Sequence, residues 1–186
     1  MSEKEPFYLK VSGGLDNQIC HQTKLIVDQM AKQNRDIYLL INSTGGLTRD
    51  SIMLSYFLSE LDDGVTTYGD GRIESAALTV FVGGEKRIVH PNCFIHVHPG
   101  SMAMNGSFTE AQLLRTAEVL KRDRQEMDNV FAARTSMSRK MRNQVFVHQG
   151  RDLDPREAIK LGIAHETGIV KVPADAEQYA LRGEKD

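Results

Sequence analysis

The run DIYLLIN at residues 36–42 constrains this chain most, because nearly every position is apolar rather than every second one. A strand of that kind is covered on both faces, so it belongs in the middle of a layered sheet. Gly45 and Gly46 close it, and Leu47 to Leu61 then reads as a helix. Further β-rich runs at 7–11, 65–69, 87–89 and 93–97 alternate with helical patterns such as Asn17 to Lys32. That alternation predicts an α/β fold around a mainly parallel sheet, with its ligand site where strands hand over to helices.

With 186 residues the chain can bury one core, and residues 1–186 are expected to form a single domain. From Phe108 to Arg134, apolar residues at helical spacing (Leu113, Ala117, Leu120, Met127, Phe131) alternate with dense charge, which predicts one long projecting helix. In DPRE, Asp154 stands at an N-cap, Pro155 at the first helical position and Glu157 at the third, with Gly162 as the stop. The termini, notably the closing EQYALRGEKD, are expected to fray.

A formal net charge of -2 provides no general attraction to nucleic acid or anionic membrane. The short basic stretch Lys121 to Arg124 is interrupted by Asp123 and reads as a solvated helix face. Cys20 and Cys93 are far apart and lack metal-ligand spacing, which fits a reducing, cytoplasmic setting without a disulfide framework. No signal segment or membrane span is expected.

Ser75 sits where a glycine-containing turn leads into an apolar helix, so free backbone N–H groups and the helix dipole would favour an oxyanion beside its hydroxyl. The same position suits a plain helix cap. A GxSxG elbow is absent from IESAA. In CFIHVHP, Phe94, His96 and His98 share one strand face, and His98 at the strand end suits either a general base or a hydrogen-bonded structural role. A metal site using this HxH pair with His90 or His148 lacks an acidic partner at useful spacing, and no metal or cofactor is expected. The INSTGG segment resembles half an oxyanion hole, although a lone pair of glycines by itself favours a simple strand-to-helix turn.

In order, DIYLLINSTGG, GRIESAALTVFVGG, KRIVHPNCFIHVHP and REAIKLGIAHE resemble the proteolytic subunits of the Clp protease, with the likeness running from about Gly13 to Ile169. The resemblance implies the βαβ spiral shared by Clp proteases and crotonases, with the helix at about 108–134 as a projecting handle. It implies a serine peptidase with Ser75 as nucleophile and His98 as base, and with the amides of Gly46 and Ala76 as oxyanion hole. It further implies that an extended peptide or unfolded protein pairs with backbone at Gly45 and Leu47 on one side and Gly100 on the other.

The family's acid slot aligns with Gly150, which leaves Asp152 as the candidate third member of the triad. Stacked homo-oligomeric rings are implied, whereas the short N-terminal segment counts against docking to an AAA+ unfoldase. Alternatives are a catalytically silent ring subunit and a crotonase-type acyl-CoA enzyme.

Overall fold

A computed structural model describes residues 4–184, so the ends expected to fray at 1–3 and 185–186 lie outside the described residues. The chain runs β1 (Pro6–Leu15), α1 (Asn17–Lys32), β2 (Asp36–Gly46), α2 (Thr48–Ser59), β3 (Thr66–Glu74), α3 (Ala76–Val82), β4 (Lys86–Val89) and β5 (Phe94–Val97). It continues through α4 (Glu110–Arg134), α5 (Arg139–Asn143), a π-helical turn (Gln144–His148), β6 (Arg151–Leu153), α6 (Pro155–Lys160), β7 (Glu166–Thr167) and β8 (Glu177–Arg182).

These strands make one 8-stranded sheet in the order β6-β5-β3-β2-β1-β8, with β4 joining β3 to β7. Its pairs are parallel apart from the antiparallel β5–β6 contact. β3 divides its outer edge, meeting β4 through Thr66–Gly69 and β5 through Arg72–Glu74. The partner of β3 changes across Asp70 and Gly71, so its second half meets the strand that carries His96.

The both-face burial expected of β2 is present. Leu39 and Ile41 join the main core with α1, α2 and α3 residues such as Val27, Ile52 and Phe81. Leu40 turns to the other face, where it packs with Tyr8, Tyr68 and Ile88 under Val170, Val172 and Ala176. The second layer is thus irregular chain near the C-terminus, where no helix pattern announced it.

Helix ends follow the sequence closely. Asp16 accepts from the Ile19 N–H to start α1, and Asp154 and Glu157 form the expected capping box of α6 with Pro155 in its first turn. α4 buries only Met127, Val130 and Phe131, so its N-terminal half stands clear of the body. Its base is fastened by Arg87, a 5% exposed arginine that donates to the carbonyls of Ile163, Gly84, Arg134 and Gly162. Burial pulls this guanidinium down to about 10.

The expectation of a frayed C-terminal segment is corrected for Glu177–Arg182. This strand pairs in parallel with β1, from Phe7↔Glu177 to Ser12↔Arg182. Only Leu181 of β8 is buried, so an edge strand offers almost no apolar pattern to read.

Candidate functional site

β2, β3 and β5 end side by side, and their C-terminal ends bring together Gly45 and Gly46, Ser75, and His98. β3 stops at Glu74 and α3 starts at Ala76, leaving one residue to turn the chain. Ser75 makes that turn at φ 52 and ψ -127, a sparsely populated conformation for a residue with a Cβ. Strain of about 1–3 kcal/mol is typical of such a residue. The turn is held by the Ser75 N–H donating to the His96 carbonyl at 2.9 Å and the Leu78 N–H donating to the Ser75 carbonyl at 3.0 Å.

Ser75 does not cap α3 with its side chain, which removes the plainer explanation for a serine here. Its hydroxyl is left available. Gly45 makes room for it: a Cβ at Gly45, which has φ +103, would stand 2.7 Å from Ser75 Cβ and 3.0 Å from the Ala76 nitrogen. The glycine is required both by its backbone angle and by this approach. Ala76 is the first residue of α3, so its amide has no acceptor within the helix.

INSTGG is not a loop. β2 continues through it, with Gly14↔Gly45 and Leu15↔Gly46 paired to β1 and Ser43↔Ile73 paired to β3. Leu47 departs from expectation, because its N–H already donates to the Leu15 carbonyl at 2.7 Å and its carbonyl accepts from Ser51. Its backbone is engaged within the chain, and its 50% exposed side chain is what it presents. Gly100 lies in irregular chain beyond β5, with the nearest neighbour of an added Cβ being Leu120 at 3.9 Å. A cleft of about 680 Å³ opens beside Gly46, lined by Leu47, Ser101, Met102, Leu120 and Asp123 among others. Neither Ser75 nor His98 lines it.

His98 follows the last residue of β5 and is partly buried. Its Nδ1 lies 2.7 Å from the Pro99 carbonyl oxygen. A carbonyl can only accept, so this contact puts the proton on Nδ1 and leaves the Nε2 lone pair free, the tautomer a base needs. Among the described residues, no hydrogen bond joins Ser75 Oγ to this ring.

Asp152 does not orient His98. In the β5–β6 ladder it stands opposite His96, and its Oδ1 is 2.5 Å from His96 Nδ1. The register decides this: Val97 pairs with Arg151 and His96 with Asp152, so Gly150 lies next to His98. A Cβ on Gly150 would stand 2.8 Å from His98 Cβ and 3.0 Å from the Val97 carbonyl oxygen. The slot of the missing acid is therefore closed by backbone packed on the histidine. Glu74 is turned to the Arg72 guanidinium, with Oε1 2.6 Å from Nε.

Among the described residues no group of three or more His, Cys, Asp or Glu side chains is arranged to hold a metal ion. Among the described residues no helix is long and apolar enough to cross a membrane. Two features escaped sequence reading. The strain at Ser75 had one signal, the absence of any linker between strand and helix. The His96–Asp152 pair had none, because a three-residue β6 carries no readable register.

A profile of the Clp protease family matches residues 7–170. An ATP-dependent Clp protease proteolytic subunit of Ostreococcus tauri is 27% identical over 173 residues, covering 91% of this chain and 82% of that protein. One from Arabis hirsuta is 31% identical over 146 residues, covering 72% of each. Among solved structures, a ClpP1 mutant from Listeria monocytogenes has the same fold, with a TM-score of 0.74 at 20% identity over 86% of this chain and 90% of that one. With the profile spanning most of its length and the strand ends arranged as described, the chain belongs to the Clp protease family.

Proposed function

We propose that this chain is a serine peptidase of the Clp type, with Ser75 as nucleophile and His98 as general base. The observation that carries this reading is the strained Ser75 turn at the end of β3, backed by Gly45 and neighboured by the strand that ends at His98. Stored strain at one uncapped hydroxyl needs a reason, and exposing a nucleophile is one.

In the proposed reaction Ser75 Oγ attacks the peptide carbonyl carbon while His98 Nε2 takes its proton. The oxyanion is held by the amides of Gly46 and Ala76. The tetrahedral intermediate expels the amine, which leaves with the proton from His98. Water, deprotonated by the same nitrogen, then releases the acyl group from Ser75. The cleft beside Gly46 takes the extended peptide, with Leu47 contributing its side chain and Gly100 the opposite side.

Ring assembly belongs to the same proposal. The free half of α4 exposes Leu113 and Leu114, 51% and 58% accessible, which suits packing against a second copy. The curated relatives are named ATP-dependent, and an AAA+ unfoldase partner is proposed on that likeness alone. A cytoplasmic location is proposed from two buried free cysteines, whose thiols burial pushes up to about 11 and about 12.

Hydrolysis of an unfolded casein or of fluorogenic peptides, lost in Ser75→Ala at unchanged oligomeric mass, is the expected result. Equal cleavage by wild type and Ser75→Ala contradicts the proposal. A silent ring subunit is the second reading, favoured by the closed slot at Gly150, and it predicts a ring with no Ser75-dependent cleavage. A crotonase-type enzyme is not favoured by a profile match to Clp proteases.

A further inference from the structure

His96 and Asp152 lie outside the pair assigned to the reaction, yet they are built against it. Three rings on and just beyond β5 stack in a row: Phe94 on His96 at 6.4 Å between ring centroids, and His96 on His98 at 5.2 Å and 28°. Arg72 covers the outer end of this stack, 5.5 Å from the Phe94 ring centre. Asp152 grips the middle ring at Nδ1. Gly150 presses on the inner end, where an added Cβ would lie 2.8 Å from His98 Cβ and 3.2 Å from His96 Nε2.

On the reading that His98 is the base, we propose that Asp152 is a positioning residue that acts on His98 through the stacked ring of His96. An ionised carboxylate only accepts, so Asp152 fixes the proton of His96 on Nδ1 and with it the plane of the ring. That fixed plane is the wall against which His98 rests. The same contact sets the charge beside the base. When His98 takes the Ser75 proton, it faces a neutral imidazole joined to a carboxylate, a pair of net charge about −1 that favours the imidazolium.

Protonation of His96 cancels that charge and places a second cation in the stack. The other charged groups around His96 are already engaged. Glu74, its register partner on β3, holds Arg72, while Arg151 on β6 holds Glu157.

The test is the second-order rate of Ser75 modification by a fluorophosphonate between pH 5 and 9, in full-length wild type, Asp152→Asn, His96→Phe, the double variant and His98→Ala. An exposed charge contact of this kind is worth a factor of about 1.5 to 5. Asp152→Asn and His96→Phe are each expected to lower the plateau rate by about that factor. The double variant is expected to be no slower than about twofold below either single one, because both act through one path.

Loss in Asp152→Asn as complete as in His98→Ala would overturn the proposal in favour of a direct triad acid. An unchanged rate and pH profile would overturn it in favour of a surface ion pair. NMR chemical shifts of the histidine ring nitrogens and carbons give a readout independent of activity. Asp152→Asn is expected to change the ring signals of both His96 and His98, and a change at His96 alone contradicts the proposal. If wild type fails to label at any pH, the peptidase reading falls, while the ring signals still decide whether Asp152 reaches His98.

Discussion

The serine side and the histidine side of the site are built to different standards. Ser75 lies between β3 and α3, flanked by Ile73, Ala76 and Ala77 at no more than 1% exposure, with its backbone bonded on both sides. His98 lies past the end of a four-residue strand whose outer neighbour is the three-residue β6 at the sheet edge. Strain can be stored at Ser75 because the surrounding core over-determines it. At the edge, small rearrangements cost little, and there Gly150 packs on His98 while Asp152 pairs with His96.

Replacing Gly45 by alanine should test this difference most severely. A Cβ at φ +103 and 2.7 Å from Ser75 Cβ is expected to cost about 2–4 kcal/mol in urea unfolding and to abolish Ser75 labelling. A neutral Gly45→Ala would show the serine side to be as yielding as the edge.

Restoring an acid at its family position is the matching test on the other side. Gly150→Asp is expected to lose about 1–3 kcal/mol through contact with His98 Cβ and the Val97 carbonyl, without raising the labelling rate. Faster labelling in this variant would mean that the edge re-forms a triad readily.

Relieving strain should reverse the sign. Ser75→Gly, which lifts the penalty at φ 52, is expected to raise stability by about 0.5–1 kcal/mol while removing reactivity. An unchanged or lower thermal midpoint would argue that the turn is unstrained.

The smallest effects belong to the surface. Asp152→Asn, at a site where the aspartate side chain is 68% exposed, is expected to change folding stability by less than about 0.5 kcal/mol even where it changes the pH profile. His165 provides a pH test away from the site. Its Nδ1 accepts the Arg87 N–H at 3.2 Å, and burial, then the Arg87 charge, holds its pKa below 6.5. The unfolded chain therefore binds the extra proton first. Stability should be full above about pH 6.5 and fall as pH drops below it, with a shallower fall in His165→Gln.

What the sequence discloses follows the same division. The helices, the both-face burial of β2 and the order Gly46, Ser75, His98 were legible because long apolar periods and glycine junctions leave strong signals. The antiparallel β6, the edge strand β8 and the partner of Asp152 were not, because short or exposed strands carry neither period nor register. Distance along the chain suggested Asp152 for His98; only the pairing of Val97 with Arg151 shows that it meets His96 instead. The backbone state of Ser75 left a single faint sign, the junction of strand and helix without a linker.

The central claim is that Ser75 is a nucleophile activated by His98. Intact-mass and peptide mass spectrometry after fluorophosphonate treatment addresses it most directly. The predicted result is one adduct per chain, on the peptide containing Ser75, absent in Ser75→Ala and slowed by at least about 100-fold in His98→Ala. An adduct elsewhere, or labelling of Ser75 at the same rate without His98, would contradict it.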